Sequence, residues 1–287
     1  RNEYRNLLLT SDGIEKYISG VIMFDETFKQ NTTCDDKVPF TEYLKSLNIL
    51  PGIKVDKGVK NLAGFNDEVV TEGLDGLRDR LKEYYALGAR FAKWRAVIKI
   101  DNTKPSLGAI TANAHSLARY ASLCQESGLV PIVEPEVLMN GSHTANECYD
   151  VTSKTLSIVF NQLEILNVNL EGIVLKPNMV ISALDCVNQA NSDEVAKLTV
   201  KCLLENVPSK IPGIAFLSGG QNSDIATEHL NKMNQLNTDL PWNLTFSYGR
   251  ALQQDALNIW QGKNRSEAQL AFLNRAKNNS LATNGEY

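Results

Sequence analysis

The sequence predicts an α/β fold on a parallel sheet, of the (β/α)8-barrel (TIM-barrel) class. Short apolar runs alternate with long amphipathic segments throughout the 287 residues, as repeated βα units do. The runs begin roughly 30 to 42 residues apart, about one βα unit each. They are apolar on both faces, as strands are when helices cover both sides of a sheet. An open doubly wound sheet is the alternative, but even spacing and a length near the typical ~250 residues favour the barrel.

Seven runs are predicted to be strands: Gly20–Phe24, Pro51–Asp56, Arg90–Arg95, Val130–Glu136, Glu171–Lys176, Gly213–Ser218 and Trp242–Ser247. A barrel of this class needs eight strands. Arg1–Leu9 has the pattern of a helix end, so we expect the eighth strand to precede Arg1. Its slot should then fall between the first and the last of the seven runs. The chain is expected to be a piece of a longer protein.

Amphipathic segments between and after the runs are predicted to be helices: Leu74–Leu87, Thr111–Glu126, Glu147–Leu166, Asp193–Glu205, Leu252–Trp260 and Ser266–Asn278. Ser192 is the expected N-cap of the fourth, because Asp193 and Glu194 follow it and suit the helix dipole. No linker or change in composition divides the sequence. We therefore expect one barrel domain over residues 1–287, truncated at both ends.

Composition excludes several classes of function. A net charge of −4 gives no overall attraction to nucleic acid, and the longest apolar runs are too short to insert into a membrane. The five cysteines are widely spaced without a CxxC pair, which predicts reduced thiols. Only three histidines are present, none at a chelating spacing, so we expect no metal site.

Charged and polar residues stand where the predicted strands end, the face at which barrels of this class carry their active sites. In several strands two of them are spaced i, i+2, which places both side chains on one face of the strand. We expect them to meet around the barrel axis. They are Lys54, Asp56, Lys93, Arg95, Glu134, Glu136, Lys176, Ser218, Gly219, Gly220, Ser247, Gly249 and Arg250.

Lys176 is the candidate nucleophile, because it ends the apolar run Ile173–Leu175 and is followed by Pro177. A lysine in apolar surroundings is costly to keep charged, so its pKa falls and a free amine becomes available for Schiff-base chemistry on a carbonyl. Repulsion from Lys93 would favour the same neutral form. A strand-end lysine whose head group reaches solvent is the structural alternative for this segment taken alone.

The other residues of the cluster divide into two chemical types. Glu134 and Glu136 can donate or accept the protons that carbinolamine formation and dehydration require. Two glycine turns, Ser218-Gly219-Gly220 and Gly249-Arg250, offer backbone N–H groups and a guanidinium after the last two strands, where barrels commonly bind phosphate. Lys54 is expected to hold a second anion further round the rim.

Six blocks of sequence resemble class I, Schiff-base fructose-1,6-bisphosphate aldolases, in the order in which that family carries them. The blocks are Gly52–Gly58, Phe91–Arg95, Val133–Glu136, Leu170–Val180, Phe216–Gln221 and Leu244–Leu252. The resemblance implies a (β/α)8 barrel, usually a homotetramer, in the cytoplasm, without a cofactor. It also implies a phosphorylated sugar substrate and a place in glycolysis and gluconeogenesis.

Carried over to this sequence, the resemblance implies a role for each candidate. Lys176 would form the Schiff base with the ketose, Glu134 would be the general acid/base, and Lys93 would assist carbon–carbon cleavage. Lys54 and Arg95 would contact the far end of the substrate. Glu136 and Asp56 would orient other groups. The phosphate on the dihydroxyacetone side would be held by Ser218, Gly219, Gly220, Ser247, Gly249 and Arg250.

The sequence departs from the family pattern at both ends. The family's first strand carries an Ala-Asp-Glu-Ser motif whose aspartate is catalytic, and its C-terminal tail ends in a tyrosine used in turnover. Neither is found here, and Tyr287 matches the segment before that tail. A chain of only these residues is therefore expected to be poorly stable and almost inactive.

Three alternatives remain at this stage. Another Schiff-base barrel aldolase would not usually need two anion sites, so Lys54 facing Arg250 across the barrel would argue against it. A metal-dependent aldolase is disfavoured by the scarcity of histidine. A non-catalytic scaffold that binds actin, other cytoskeletal adaptors or adhesin tails belongs to a different class of function, and no surface in the sequence marks it.

Overall fold

The computed structural model describes residues 1–33, 37–236 and 239–287, and its centre is a parallel sheet of seven strands. In chain order the strands of the chain are β1 (Gly20–Met23), β2 (Leu50–Lys54), β3 (Val59–Asn61), β4 (Val69–Thr71), β5 (Phe91–Ile98), β6 (Val130–Val137), β7 (Val174–Leu175), β8 (Gly213–Phe216) and β9 (Asn243–Phe246). The large sheet has the order β1-β2-β5-β6-β7-β8-β9, and β3 and β4 form a separate antiparallel hairpin.

Helices follow the strands. They are α1 (Asn2–Leu9), α2 (Asp25–Phe28), α3 (Phe40–Ser46), α4 (Leu77–Ala86), α5 (Leu107–Glu126), α6 (Ala145–Ile165), α7 (Ser192–Asn206), α8 (Ser223–Asn234), α9 (Arg250–Trp260) and α10 (Arg265–Ala282). Within the described ranges, no helix is both long enough and apolar enough to cross a membrane.

The predicted fold class is confirmed. The seven strands are parallel, lie in chain order and curl into an open part of a barrel. As expected, β1 and β9 are the two edges of the sheet and do not pair with each other within the described part of the chain. The α1 helix also lies where the sequence predicted a helix, before the first strand.

The strand that leads to Lys176 is much shorter than predicted. Only Val174 and Leu175 pair with both neighbours, and the residues before them, Leu170–Gly172, form a 3-10 turn capped by Asn169. The Lys176 backbone N–H still donates to the Val133 carbonyl at 2.8 Å. Pro177 has no N–H to donate, but its carbonyl still accepts from the Leu217 N–H at 3.1 Å, so backbone pairing on the β8 side continues past the lysine.

The N-cap of α7 was predicted wrongly. Asn191, and not Ser192, caps this helix, because its side chain accepts from the Glu194 N–H at 3.0 Å while Glu194 accepts from the Asn191 N–H at 2.9 Å. The same reciprocal capping box starts α6 at Thr144 and Glu147. Both caps precede a glutamate by three residues, a signal that is present in the sequence.

Successive side chains of β5 alternate between the buried core and the face that carries the charged strand-end residues. Trp94 is completely buried and lies between Lys93 and Arg95 in sequence. Its ring packs against Tyr120 of α5 with centroids 5.6 Å apart. Since successive side chains of a strand point to opposite faces, Trp94 anchors the outer helix layer while its two charged neighbours point to the opposite face.

The cysteines are free thiols where the structure describes them. Cys124, Cys148 and Cys202 are buried, and Cys186 is partly exposed. Cys34 lies outside the described residues.

The amino-terminal parts of β1, β2 and β5 pack closely because β1 begins with Gly20 and β2 has Gly52 as its third residue. A Cβ on Gly20 would lie 3.0 Å from the Phe91 ring, and a Cβ on Gly52 would overlap the ring. Gly52 and Phe91 are register partners on neighbouring strands. The half-buried Phe91 ring therefore occupies space that only glycine leaves open.

We expect Gly52→Ala to lower the free energy of unfolding by about 1–3 kcal/mol, because the added methyl group overpacks the Phe91 ring. Equilibrium urea denaturation measures this. Gly213→Ala, at the start of β8, is the matched control, since its Cβ would meet nothing closer than the Asn243 carbonyl oxygen at 3.6 Å. In a Phe91→Leu background the cost of Gly52→Ala should shrink. An equal cost in both backgrounds would contradict this packing argument.

Candidate active site

The candidate residues meet at the carboxyl ends of the central strands. In the ladders, Lys54 is the register partner of Lys93, and Arg95 is the register partner of Glu134. Lys176 follows β7 directly. Because parallel strands end on the same edge of a sheet, side chains distant in sequence come into contact there.

Glu134 lies between two lysines. Its Oε2 atom is 3.0 Å from Lys93 Nζ, and its Oε1 atom is 3.3 Å from Lys176 Nζ. The three side chains are almost completely buried, with 9% of each lysine and 5% of the glutamate exposed. One carboxylate therefore faces two amines in a place with little water.

This surrounding changes the chemistry of Lys176. Burial lowers the pKa of Lys176, and the nearby Lys93 charge lowers it further, while Glu134 acts in the opposite direction. The net effect favours the neutral amine relative to an exposed lysine. The alternative of a lysine whose head group reaches solvent is wrong, because the side chain is 9% exposed.

A second layer of ion pairs lies beside the first. Arg95 Nε donates to Glu136 Oε2, and Lys54 Nζ donates to Asp56 Oδ1. Asp56 also accepts from the Gly58 backbone N–H at 3.1 Å and from the Arg95 backbone N–H at 3.2 Å. The Asp56 carboxylate thus ties the end of β2 to β5 as well as holding Lys54.

Two cavities open around these groups. One, of about 300 Å³, is lined by eleven of the thirteen candidates. These are Lys93, Arg95, Glu134, Glu136, Lys176, Ser218, Gly219, Gly220, Ser247, Gly249 and Arg250. The other, of about 460 Å³, reaches Lys54 and shares five candidates with the first: Lys93, Arg95, Lys176, Ser247 and Gly249. Asp56 lines neither, so the structure places it behind Lys54.

Two backbone segments in the smaller cavity are suited to an anion. Gly219 and Gly220 have φ of +59° and +87°, which glycine adopts readily. Among the described residues, none accepts a hydrogen bond from the backbone N–H of Gly219 or Gly220. Gly249 caps the start of α9 without a side-chain hydrogen bond, and Arg250 is its first helical residue. Helix starts and unpaired N–H groups attract negative charge.

The sequence did not identify Asn178, which holds two walls of the site together. Its Oδ1 atom accepts from the Val137 backbone N–H at 3.0 Å, at the end of β6, and its Nδ2 atom donates to Thr152 of α6 at 3.1 Å. Because β7 ends at Leu175, this side chain takes the place of the backbone acceptor that a longer strand would offer to Val137. An asparagine directly after Lys-Pro at a buried strand end was the available signal.

Apolar side chains of the larger cavity were also missed. Leu8, Leu9, Phe24 and Phe272 line it, and Lys54 Nζ lies 5.5 Å from the centre of the Phe24 ring. They come from α1, α10 and the end of β1, far apart in sequence, so no local pattern identifies them.

The arrangement offers a buried amine of lowered pKa and a carboxylate within proton-transfer distance of it. One side of the site has the unpaired N–H groups of the glycine turn and the Arg250 guanidinium. The other side has two further cations, Lys54 and Arg95. This combination suits covalent chemistry on a carbonyl compound that carries anionic groups. In the described ranges, no group of three or more His, Cys, Asp and Glu side chains is arranged to hold a metal ion.

Comparison with known proteins agrees with this chemistry. The family model described as fructose-bisphosphate aldolase class-I matches residues 1–287. A "Probable fructose-bisphosphate aldolase class 1" of Xanthomonas axonopodis is 57% identical over 290 residues, covering 100% of this chain and 86% of the bacterial protein. "Fructose-bisphosphate aldolase 4, cytosolic" of Arabidopsis thaliana is 53% identical over 289 residues, covering 100% of this chain and 73% of the plant protein.

A solved structure is equally similar. Fructose-bisphosphate aldolase of Plasmodium falciparum, in complex with TRAP and a small-molecule inhibitor, is 50% identical with a TM-score of 0.97. The match covers 100% of this chain and 83% of that one. Full-length agreement in sequence and fold, together with the buried amine at the strand ends, shows that this chain belongs to the class I fructose-bisphosphate aldolase family of lyases.

Proposed function

We propose that this chain cleaves fructose 1,6-bisphosphate reversibly into dihydroxyacetone phosphate and glyceraldehyde 3-phosphate through a Schiff base on Lys176. The observation that carries the proposal is the buried Lys176 amine 3.3 Å from the Glu134 carboxylate. Burial supplies the neutral nucleophile, and Glu134 supplies a group that moves protons.

The first half of the reaction forms the Schiff base. The Lys176 amine attacks the ketose carbonyl to give a carbinolamine, and Glu134 protonates the hydroxyl group that leaves as water. The resulting iminium ion withdraws electrons from the adjacent carbon–carbon bond. When that bond breaks, the Glu134 carboxylate takes the hydroxyl proton of the aldehyde half, the aldehyde leaves and an enamine remains on Lys176. Glu134 then returns the proton to the enamine carbon, and water hydrolyses the iminium ion to release the ketone and the free amine. Lys93, 3.0 Å from Glu134, holds the carboxylate charge in place during these steps.

The two phosphates are assigned to opposite sides of the site. Ser218, Gly219, Gly220, Ser247, Gly249 and Arg250 bind the phosphate on the dihydroxyacetone side. Lys54 and Arg95 bind the other end. Ser218, Gly219, Gly220 and Arg250 line only the smaller cavity and Lys54 lines only the larger one, which supports this assignment, while Lys176 lines both. It also favours a bisphosphate over the substrates of other Schiff-base barrel enzymes.

Glu136 and Asp56 are proposed to orient cations and not to transfer protons. Glu136 accepts from the Arg95 guanidinium, and Asp56 holds Lys54 and the Arg95 backbone. Each carboxylate is therefore paired with a cation that, in this proposal, contacts the substrate.

The wider setting follows the family. We propose a single barrel domain in a cytoplasmic homotetramer acting in glycolysis and gluconeogenesis. The Arabidopsis relative is described as cytosolic, which supports the compartment. Binding to actin or another cytoskeletal adaptor stays a secondary proposal. It is supported only by analogy with the Plasmodium protein, whose structure includes TRAP.

Borohydride in the presence of dihydroxyacetone phosphate should trap a covalent adduct on Lys176 of the intact protein, because only a Schiff base is reduced to a stable secondary amine. Peptide mass spectrometry locates the label. Lys176→Met should abolish it, whereas Lys93→Met should leave any label on Lys176. Labelling of Lys93 or Lys54, or undiminished trapping in Lys176→Met, would refute the assignment.

Glu134→Gln should lower kcat by about 10²–10⁴, because the amide keeps the shape of the side chain but cannot transfer protons. Removing its charge also removes an influence that raises the pKa of Lys176, so borohydride should still label Lys176, but more slowly, because no carboxyl group protonates the hydroxyl that leaves the carbinolamine. Steady-state kinetics and trapping on the same preparation test both statements. Glu136→Gln is the comparison variant, and we expect a smaller loss. Near-normal turnover in Glu134→Gln with a large loss in Glu136→Gln would reverse the two roles.

A further inference from the structure

The glycine turn after β8 needs external support if it is to bind an anion in a fixed position. Gly219 and Gly220 both have positive φ, and glycine is the residue with the most backbone freedom. The residue that follows, Gln221, makes contacts that restrict this freedom.

Gln221 holds the first peptide of the turn from behind. Its side-chain Nε2 atom donates to the Ser218 carbonyl oxygen at 2.9 Å, and its backbone N–H donates to the same oxygen at 3.0 Å. Nε2 also lies 3.5 Å from the sulfur of Met179, in the buried segment that follows Lys176. The Ser218 carbonyl is therefore doubly anchored.

His229 fixes the orientation of Gln221. His229 lies in α8, and its Nδ1 atom is 2.6 Å from Oε1 of Gln221, which precedes that helix. The Ser218 carbonyl accepts only, so the amide nitrogen of Gln221 must face it and the amide oxygen must face His229. That oxygen also accepts only, so His229 Nδ1 must carry the hydrogen. Burial lowers the pKa of His229, which favours the neutral ring with this tautomer.

The chain of donors has a geometric consequence for the turn. In a trans peptide the C=O and N–H groups lie in one plane and point in opposite directions. Anchoring the Ser218 oxygen therefore fixes the Gly219 N–H, which points away from Gln221. Ser218, Gly219 and Gly220 line the smaller cavity. None of the described residues accepts a hydrogen bond from the Gly219 N–H.

We propose that His229 is a positioning residue that, through Gln221, aims the Gly219 N–H at the substrate phosphate. The inference rests on the proposed function, in which this turn binds the phosphate on the dihydroxyacetone side. It assigns to α8 a part in substrate affinity although His229 lines neither cavity of the site.

The test compares a phosphorylated with an unphosphorylated ketone in borohydride trapping on Lys176 of the intact protein. The concentration giving half-maximal trapping is measured for dihydroxyacetone phosphate and for dihydroxyacetone. In His229→Leu the value for dihydroxyacetone phosphate should rise about three- to tenfold, the effect of one lost hydrogen bond. The value for dihydroxyacetone should stay unchanged, because the amine and Glu134 are untouched.

A conservative variant and a matched control separate positioning from packing. His229→Asn places an amide N–H close to the position of Nδ1 and should restore the parental value. His115→Leu removes a similar pair, His115 Nδ1 to Gln162 Oε1 at 3.0 Å, on the exposed surface between α5 and α6, and should have no effect. Equal loss in His229→Asn and His229→Leu would overturn the hydrogen-bond role.

Two further outcomes are decisive. Unchanged values for both ketones in His229→Leu would overturn the inference. A parental protein that does not prefer dihydroxyacetone phosphate over dihydroxyacetone would instead overturn the proposed phosphate site, before any variant is made.

If His229→Leu does not fold, Gln221→Leu breaks the same chain of hydrogen bonds and should give the same selective loss. Where both fold, the double variant should lose no more than Gln221→Leu alone, because His229 acts on the carbonyl only through Gln221; additive losses would contradict this.

Discussion

One carboxylate shared between two buried amines is the constraint on which the site depends. Glu134 lies 3.0 Å from Lys93 and 3.3 Å from Lys176, and all three side chains are almost completely buried. A single negative charge cannot compensate two ammonium groups where water is scarce, so the neutral form of one amine is favoured. The Lys176 pKa falls for this reason and because of burial itself. The packing around the Lys176 amine therefore favours its neutral form.

The strands keep these groups at fixed distances. β5 and β6 pair over eight residues each, which sets Arg95 in register with Glu134 and places Lys93 two residues earlier on the neighbouring strand. β7 contributes only two paired residues, Val174 and Leu175, directly before Lys176. Side chains then replace the missing ladder: Asn178 accepts from Val137, and Thr199 Oγ1 accepts from the Val180 N–H at 2.9 Å. Lys176 is consequently held by β6 and by the helices α6 and α7.

The segments to which we assign the phosphate are built differently from the amine site. They use backbone N–H groups at a glycine turn and at the start of α9, which require no buried charge. Their precision depends on contacts from behind, such as those of Gln221 with Ser218 and of His229 with Gln221. The outer helices therefore contribute to the site as well as covering the sheet.

The sequence by itself determined the fold class, the position of Lys176 and the set of charged strand ends. These follow from local patterns, namely apolar runs, a period of two along strands and the spacing of βα units. Only the tertiary structure decided that Glu134 pairs with both lysines, that Glu136 belongs to Arg95 and that Asp56 stands behind Lys54. It also revealed Asn178, His229 and the β3–β4 hairpin. Such contacts depend on the register and curl of strands distant in sequence, which no local pattern encodes.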